Sequence, residues 1–369
     1  MTAAVLARTG PRKLLALDGG GVRGILTIET LAAIEGVLQR ELGRDDDFVL
    51  ADYFDYIGGT STGAVIGTAL ALGMRVERIR EFYLTSSREM FAPAEWHRRF
   101  RYKFRDDRLT ARLQAVIGAE TTLGSAQLRT LLMLVLRNAS TNSPWCLSSN
   151  PDATFNRVDS GSNLDLPLWQ LVRASTAAPT FFAPEVVQIG DRSHIFVDGG
   201  VTTFNTPAFQ LFLMATAAPY RLNWAAGREA MLLVSVGTGT PVATDADLTP
   251  GEMHMLYQAT AIPAALMSAA KQEQDILCRM FGDCRFGGEI DAELGDLRGV
   301  RGPVEPKLFT YVRYDAELSR AGLDALGLPD LAPEPLAPID AVERIGDLQR
   351  VGQALAAQVQ AEHFAGFLG

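Results

Sequence analysis

Short apolar runs that end in glycine-rich turns recur along the first two thirds of the chain. Each run has the length of a buried strand, and the glycines after it mark the point where the strand stops. The strands predicted in this way are 13–17, 54–59, 194–197 and 231–236, and a further strand, 308–313, lies nearer the C-terminus.

Helical spacing of apolar positions follows the strands. Within 25–42, apolar residues such as Ile28, Leu31 and Ile34 recur every three or four positions, which predicts a helix. The other predicted helices are a small-residue helix at 64–73, a helix at 166–178 that Pro179 ends, a helical region from 259, and one amphipathic helix over 340–367 with Ile345, Leu348, Val351 and Leu355 on one face. The proline-rich segment 329–340 is predicted to be a surface connection. Strands that alternate with helices indicate an α/β fold with a mainly parallel, helix-covered sheet.

Composition narrows the class of protein. With 369 residues, 47% of them hydrophobic and only 21% charged, the chain can bury one large core or two smaller ones, and its composition is not that of a disordered chain. The net charge of −9 disfavours nucleic acid as a partner, because nucleic-acid binding needs a basic surface. It also disfavours nonspecific adhesion to anionic membranes, although a local basic patch would override it.

Cysteine usage and the N-terminal sequence bear on location. Three cysteines without a CxxC pair do not indicate a disulfide framework or a zinc site, so we expect no metal and a reducing, cytoplasmic environment. The N-terminus lacks the apolar stretch of a signal peptide, and no apolar run reaches the ~18 residues of a membrane span. The sequence therefore predicts a soluble protein.

The stretch LDGGGVRG, 17–24, allows two interpretations. Gly19, Gly21 and Gly24 match the G-x-G-x-x-G pattern of a dinucleotide-binding turn. The same glycines also suit a turn whose backbone N–H groups hold a negatively charged oxygen during a reaction. Both interpretations rest on one property, since N–H groups at the start of a helix point outward and favour an anion.

The pentapeptide GTSTG, 59–63, fits G-x-S-x-G between a predicted strand and a predicted helix. On a sharp strand-to-helix turn, a central serine exposes its hydroxyl, and the elbow glycines Gly59 and Gly63 let the neighbouring backbone pass without a clash. The positive end of the following helix would also point at Ser61. The alternative is an ordinary tight turn, because turns collect both glycine and serine.

Asp198 follows a predicted strand in the sequence VDGG. An aspartate before two glycines is often only a turn former, because its side chain accepts local backbone hydrogen bonds. In α/β sheets, however, ligands bind at the carboxyl ends of strands, and Ser61 lies at another such end. A carboxylate at this edge could accept the serine proton.

Together these motifs favour acyl transfer over dinucleotide binding. A dinucleotide fold needs an acidic residue at the end of its second strand, about 20 residues beyond the glycines. Asp45, Asp46 and Asp47 lie near that distance but precede a predicted strand instead of ending one. Asp18, inside the turn, would also be an unfavourable neighbour for a pyrophosphate.

In this order, D-G-G-G-x-R-G, G-x-S-x-G and D-G-G resemble the motifs of the patatin-like phospholipase family. RASTAAPTFFAP at 173–184 and SVGTG at 235–239 are similar to further segments of that family. The resemblance implies a three-layer α/β/α patatin-like fold with a mainly parallel central sheet and a helical C-terminal extension. It implies a catalytic domain over 13–210, with 211–369 continuing the α/β core and forming the extension.

The resemblance also implies roles for individual residues. Ser61 would be the nucleophile and Asp198 its partner in a Ser-Asp dyad, and Arg23 would hold the charge and shape of the glycine turn. The oxyanion N–H donors would come from Gly19, Gly20 and Gly21. The implied reaction is hydrolysis of acyl esters, chiefly of membrane lipids, without a metal or cofactor. A buried aspartate suits this role, because a dry environment raises its pKa and lets it accept the serine proton.

The four histidines compete for the role of base. A Ser-Asp-His triad in the usual α/β-hydrolase order would place its histidine after Asp198, at His254 or His363. His254 lies in a predicted helix, His363 lies near the chain end, and His97 falls in no motif. His194 shares a strand face with Asp198 and could line the site. We expect structural or solvent-facing roles for all four.

The segment WHRRFRYKFRDDR, 96–108, interleaves basic and aromatic residues in an otherwise acidic chain. It either contacts lipid headgroups with its aromatic residues at the interface, or forms a solvated strand or loop with alternate aromatic side chains buried. Peripheral contact with a membrane would follow from the first alternative.

Three functions remain open on these grounds. The first is a lipid acyl hydrolase of the phospholipase A or lysophospholipase type, acting on membrane phospholipid or another acyl-ester lipid. The second is a soluble esterase or thioesterase with the same dyad. The third is an effector that a small molecule or a protein partner activates, since the layout is similar to that of bacterial defence phospholipases switched on by cyclic nucleotides.

Overall fold

The computed structural model describes residues 5–90, 103–104, 106–156, 161–241 and 255–369, and of 88–90, 106 and 255–264 it describes the backbone only. The strands are β1 (Arg12–Leu17), β2 (Tyr56–Thr60), β3 (Leu131–Asn138), β4 (Ser143–Ser148), β5 (Glu185–Ile189), β6 (Arg192–Asp198), β7 (Met231–Val236), β8 (Asp283–Phe286) and β9 (Thr310–Tyr314). The α-helices are α1 (Gly24–Glu41), α2 (Leu50–Tyr53), α3 (Thr62–Ala71), α4 (Val76–Met90), α5 (Asp106–Ile117), α6 (Leu168–Ser175), α7 (Ala208–Thr216), α8 (Met255–Phe281), α9 (Arg320–Ala325) and α10 (Ile345–Ala356). The five predicted strands are confirmed to within two residues at each end.

The described strands form one mixed sheet in the order β5-β6-β3-β2-β1-β7-β9-β8, and β4 also pairs with β3. The run from β3 to β8 is parallel, whereas β4, β5 and β6 pair antiparallel. Successive residues of β1 face opposite sides, so that Leu15 and Leu17 lie in one apolar core and Leu14 and Ala16 in the other. Helices α1 and α10 cover the first core, and α7 and α8 the second. This confirms the three-layer α/β/α fold with a mainly parallel central sheet.

One edge of β3 carries two strands in succession. β2 pairs with β3 as far as Val135, whose partner is Thr60, and β6 pairs with the next residues, where Leu136 faces Asp198. β4 pairs with β3 over 133–138, and since a strand has only two edges, β2 and β6 share the remaining one. The ends of β2 and β6 therefore meet, although Ser61 and Asp198 are 137 residues apart in the sequence.

Residues beyond 211 contribute β7, β8 and β9 to the same sheet. β7 pairs with β1 along the full length of β1, so the sheet is continuous across the predicted boundary at 210. Residues of both parts pack together in each of the two apolar cores. The division into 13–210 and 211–369 stays a prediction about how the chain is organised.

The C-terminal tail differs from the single helix predicted over 340–367. A 3-10 turn at Val342–Arg344 precedes α10, which ends at Ala356, and a second 3-10 turn follows at Ala361–Phe364. In a straight helix, Phe364 would lie on the side opposite Leu355, because the distance between them amounts to about two and a half turns. The chain leaves the helix after Ala356 and in this way buries both side chains.

The proline-rich segment 329–340 lies at the surface for most of its length, as its composition predicts, but parts of it also pack against the rest of the protein. Leu331 and Leu336 are buried, and the backbone carbonyls of Ala337 and Ile339 accept hydrogen bonds from the glycine loop (18–24) that follows β1. Proline removes backbone donors but leaves the carbonyl acceptors in place. A proline-rich segment can therefore pack tightly through its carbonyl groups, and composition does not reveal this.

Candidate active site

Ser61 stands between β2 and α3 on a strained turn. Its backbone has φ 54° and ψ −120°, a conformation that residues with a side chain rarely adopt. A Cβ at Gly59 would lie 2.2 Å from the carbonyl oxygen of Gly63, and a Cβ at Gly63 would lie 2.3 Å from that of Leu17. Both positions therefore require glycine, for the reason that underlies the G-x-S-x-G spacing.

The hydroxyl of Ser61 donates a hydrogen bond of 2.7 Å to Oδ2 of Asp198. Asp198 ends β6, and its Oδ1 accepts the N–H of Gly200 at 2.6 Å. Only 4% of Asp198 is exposed. The structure thus brings together the two residues named as a dyad, with the serine donating towards the carboxylate as activation of a nucleophile requires.

Burial raises the pKa of Asp198 to about 6, while the Gly200 N–H, the Ser61 hydroxyl and the Arg173 guanidinium act in the opposite direction. Arg173 is itself buried and donates to the carbonyl oxygen of Ala183 at 3.1 Å. A carboxyl group with this pKa is largely ionised at neutral pH, yet it is a stronger base than an exposed aspartate.

The glycine loop runs beside Ser61, since a Cβ at Gly19 would lie 3.2 Å from the Cβ of Ser61. The N–H of Gly19 donates to the carbonyl oxygen of Asn205 at 3.1 Å, whereas the N–H groups of Gly20 and Gly21 meet no acceptor in the described part of the chain. The prediction of three oxyanion donors is thereby corrected for Gly19, because its amide is already paired within the protein. Gly20 and Gly21 have donors available for a ligand.

Contacts from two distant parts of the chain set the shape of this loop. Thr238 Oγ1 donates to the carbonyl oxygen of Gly19 at 3.0 Å, and a Cβ at Gly20 would lie 2.1 Å from that hydroxyl oxygen. Gly21 has φ +61°, and a Cβ there would lie 2.1 Å from the carbonyl oxygen of Ile339. Any larger residue at either position would displace Thr238 or Ile339.

Comparison with known proteins agrees with this geometry. A family model for patatin-like phospholipases matches residues 15–212. The chain belongs to the patatin-like phospholipase family. The matched range contains Ser61, Asp198 and the glycine loop, whereas Thr238 and Ile339 lie outside it.

The chain is similar to bacterial and plant members of this family. It is 29% identical over 244 residues to the cGAMP-activated phospholipase of Escherichia coli (strain TW11681). The matched region covers 64% of each of the two chains. It is 31% identical over 208 residues to the cGAMP-activated phospholipase of Vibrio cholerae serotype O1, covering 53% of this chain and 56% of that one. It is 31% identical over 260 residues to Patatin-T5 of Solanum tuberosum, covering 65% and 63%. The matched regions thus span less than two thirds of the length of each of these relatives.

Arg23 ties the glycine loop of this patatin-like protein to the C-terminal segment. Its guanidinium donates to the carbonyl oxygen of Ala337 at 2.7 Å, beside the bond of 2.8 Å from the N–H of Val22 to the carbonyl oxygen of Ile339. Burial lowers the pKa of Arg23 to about 10. These are the contacts of a residue that supports the shape of the loop, and its part in catalysis stays a prediction.

Asp18 lies beneath the glycine loop in a buried ion cluster that no sequence motif reveals. Its carboxylate accepts two hydrogen bonds from Arg313, at 3.0 and 2.7 Å, and one from Thr206 at 2.9 Å. Asp315 lies 3.1 Å from the same guanidinium and 2.8 Å from the ammonium of Lys271. Two carboxylates and two cations balance one another there, so the charge of Asp18 is neutralised within the protein.

Three further residues contact the site, and the sequence alone does not single them out. The hydroxyl oxygen of Ser175 accepts the N–H of Ser61 at 2.9 Å. The carbonyl oxygen of Asn205 accepts the N–H of Gly19, and the Thr238 hydroxyl donates to the carbonyl oxygen of Gly19. Ser175 and Thr238 lie in the segments 173–184 and 235–239, so the family resemblance indicates their segments but not their side chains. Asn205 lies in no motif.

In the residues that the structure describes, no histidine contacts Ser61 or Asp198. His194 Nδ1 lies 3.1 Å from Nδ2 of Asn138, and its ring packs against Trp145 with 5.5 Å between ring centroids. His194 is therefore engaged by an amide and an aromatic ring on the strand face that it shares with Asp198.

His363 packs at the C-terminal end of the chain and not at the dyad. Its Nδ1 lies 2.6 Å from the hydroxyl of Tyr314, and burial lowers its pKa. These contacts are structural, as expected for this residue. His97 and His254 lie outside the described residues.

Most of the basic-aromatic segment, 96–108, lies outside the described residues, so its contact with headgroups stays a prediction. Phe104 is buried against Phe181 and Phe182, and Lys103 forms an ion pair with Asp340. For Phe104 the structure thus agrees with the alternative in which aromatic side chains of this segment enter the core.

We expect kcat/KM for ester hydrolysis to rise as the pH increases through about 6 and then to level off. As the predicted base, Asp198 would accept the serine proton only as a carboxylate, and burial raises its pKa to about 6. The measurement is kcat/KM for an uncharged short-chain ester between about pH 4.5 and 8, with circular dichroism at each pH to confirm folding. A rate that stays flat across this interval would exclude Asp198 as the base.

Proposed function

We propose that this protein is a lipid acyl hydrolase that cleaves acyl esters through a covalent acyl-enzyme on Ser61. The observation that carries the proposal is the bond of 2.7 Å from the Ser61 hydroxyl to buried Asp198, made at a strained strand-to-helix turn. Membership of the patatin-like phospholipase family supports the same reaction.

The first half-reaction forms the acyl-enzyme. Asp198 takes the proton of the Ser61 hydroxyl as the serine oxygen attacks the ester carbonyl carbon. The carbonyl oxygen becomes an oxyanion, and the free N–H groups of Gly20 and Gly21 stabilise it. When the intermediate collapses, the ester C–O bond breaks and the leaving alcohol takes the proton from the Asp198 carboxyl group.

The second half-reaction returns the enzyme to its starting state. A water molecule donates its proton to Asp198 and attacks the acyl carbon, and the same two N–H groups receive the oxyanion. The bond to Ser61 then breaks, the serine oxygen recovers its proton from Asp198, and the free fatty acid leaves. One aspartate thus serves as base and then as acid in each half-reaction.

A membrane phospholipid or another acyl-ester lipid is the proposed substrate, with contact at the membrane surface. The relatives from Escherichia coli and Vibrio cholerae are named phospholipases, which supports this substrate class. No helix in the described residues combines the length and the apolarity needed to cross a bilayer. Segment 96–108 is the proposed contact with the membrane surface. A cytoplasmic location is also part of this proposal.

A small-molecule activator is a second proposal, because two of the similar proteins are named as cGAMP-activated. This similarity supports a cyclic dinucleotide as the class of activator to test first. The dyad would then act at full rate only after the activator binds, and the soluble esterase interpretation would require no activator.

A substrate panel with and without cGAMP separates these functions. We expect the purified protein to release fatty acid from phospholipid vesicles, and cGAMP to raise that rate, while Ser61→Ala shows neither effect. The panel contains phospholipid vesicles, a lysophospholipid, a nitrophenyl butyrate ester and an acyl thioester, each assayed for released acid or thiol. Hydrolysis confined to the butyrate ester and the thioester would favour the soluble esterase. An unchanged rate with cGAMP would reject cGAMP as the activator.

A further inference from the structure

The last residue of α6 and the turn that follows it contact both members of the dyad. The hydroxyl oxygen of Ser175 accepts the N–H of Ser61 at 2.9 Å. Two residues further on, the carbonyl oxygen of Ala177 accepts the N–H of Asp198 at 3.0 Å. One short stretch of chain therefore holds the backbone of the nucleophile and the backbone of the base.

A third contact anchors this turn to the strand between the two dyad residues. The Ser175 hydroxyl donates its proton to the carbonyl oxygen of Val135 at 2.7 Å. On β3, Val135 pairs with Thr60, the residue before Ser61, and the next residue pairs with Asp198. Ser175 thus lies where β2 and β6 meet along the shared edge of β3.

The direction of these hydrogen bonds is determined by the chemistry of a hydroxyl group. Ser175 is fully buried and has one proton to donate. Because that proton is used on Val135, which can only accept there, the lone pairs of Ser175 face the N–H of Ser61. A side chain without a hydroxyl would remove the acceptor that the N–H of Ser61 has in this buried environment.

The contact matters most because Ser61 has an unfavourable backbone conformation. With φ 54° and ψ −120°, the turn tends to relax unless neighbouring groups hold it. The N–H of Ser61 lies at the start of α3, where no intrahelical acceptor exists for it, so Ser175 supplies the acceptor. Relaxation of this turn would move the Ser61 hydroxyl away from Asp198.

We propose that Ser175 is a positioning residue that holds the Ser61 turn at hydrogen-bond distance from Asp198. This inference rests on the proposed function, because it assigns Ser175 a role in the same reaction. Ser175 acts through the backbone of Ser61 and does not touch the substrate.

The test is the kinetics of Ser175→Ala, Ser175→Cys and Ser175→Thr with a soluble ester and with a fluorophosphonate that labels the active serine. We expect Ser175→Ala to lower kcat by about a hundredfold with little change in KM, because a misplaced nucleophile affects the reaction more than binding. Ser175→Cys keeps the size but accepts hydrogen bonds weakly, so it should resemble Ser175→Ala. Ser175→Thr keeps the hydroxyl and should recover most of the rate.

Ser149, the residue after β4, offers a matched control, because its hydroxyl also contacts the backbone of β3. It is also buried, and its hydroxyl accepts the N–H of Leu132 at 2.9 Å, far from the Ser61 turn. Ser149→Ala should cost a similar amount of stability, measured as Tm, but leave kcat and the labelling rate unchanged. If Ser175 had only a structural role, Ser175→Ala and Ser149→Ala would lower Tm by similar amounts and would both leave kcat and the labelling rate unchanged.

A second readout separates positioning from loss of fold. The Ser61 hydroxyl lowers the pKa of Asp198, so a Ser61 that has moved away should shift the rising limb of the pH profile to higher pH. A folded Ser175→Ala or Ser175→Cys variant with kcat within about threefold of the parent overturns the proposal. If instead the parent protein itself neither hydrolyses esters nor reacts with the fluorophosphonate, the proposed function is what fails.

Discussion

Ser61→Ala is expected to abolish ester hydrolysis, and Asp198→Asn to lower kcat by about 10²–10⁴-fold. The serine oxygen is the proposed site of the covalent bond, and its hydroxyl is the group that donates to Asp198 at 2.7 Å. Asparagine keeps the shape of Asp198, and its single oxygen can still accept the N–H of Gly200. Its amide NH2 group then faces Ser61, and this group cannot take the serine proton. Both variants are assayed by fatty-acid release and by acyl-enzyme trapping.

Histidine variants are the control for this prediction. His194→Ala, His254→Ala and His363→Ala should keep most of the activity, since His194 and His363 are engaged by Asn138 and Tyr314. A folded histidine variant that loses activity as completely as Ser61→Ala would show that a triad replaces the dyad.

The stability of Asp198→Asn separates a lost base from a lost fold. The pKa of Asp198 in the folded protein, about 6, is higher than the ~3.9 of an aspartate in an unfolded chain. The folded state therefore binds more protons between these values, and the free energy of unfolding falls as the pH rises from about 4 to 6. Above about pH 6, Asp198 is ionised and buried, and this lowers the free energy of unfolding. Asp198→Asn should therefore have a Tm at neutral pH equal to or above that of the parent. Inactivity together with a lowered Tm would instead indicate damage to the fold.

Gly20→Ala is expected to lower kcat by about 10²–10³-fold with little change in KM. The added Cβ would lie 2.1 Å from Oγ1 and 2.5 Å from Cβ of Thr238, so the loop must shift. A shift moves the N–H groups of Gly20 and Gly21 away from the position where the oxyanion forms. Because these donors act on a charge that develops only during the reaction, the loss should appear in kcat.

Gly36→Ala in α1 is the matched control for the glycine substitution. Its Cβ would have one neighbour, Arg40, at 3.8 Å, and alanine suits a helix better than glycine does. Gly36→Ala should therefore keep kcat and raise Tm slightly. If Gly20→Ala retains full kcat while folded, the glycine loop is not the oxyanion site.

The amino-acid pattern predicts well those strands, helices and turns that depend only on residues close together in the sequence. The apolar run of β1, the strand before Ser61 and the helix after it follow from spacing within a few residues. The strained turn at Ser61 is also local, because glycine at 59 and 63 is what lets the backbone pass. For this reason the proposed nucleophile and its turn can be predicted from five consecutive residues. Asp198 can be predicted from its place at a strand end before two glycines.

The predictions that needed correction involve residues far apart in the chain. The strands β3, β4, β5 and β8 are absent from the predictions, and the tail departs from one helix because Phe364 enters the core on a side that a continued helix cannot present. The segment 329–340 looks like a surface loop, yet its carbonyl groups hold Val22 and Arg23. Composition describes side chains, whereas these contacts are made by the backbone.

The relation between Ser61 and Asp198 depends on one pairing that no local pattern contains. β2 and β6 meet along a single edge of β3 because β4 occupies the other edge, and only then do the two residues come within hydrogen-bond distance. The same packing pairs the Gly19 N–H with Asn205 and leaves those of Gly20 and Gly21 free among the described residues, and it brings Ser175 to the N–H of Ser61. Side-chain types and their spacing specify which groups are present. Contacts between segments far apart in the chain, 137 residues apart for Ser61 and Asp198, decide which of those groups are already paired and which are available to a ligand.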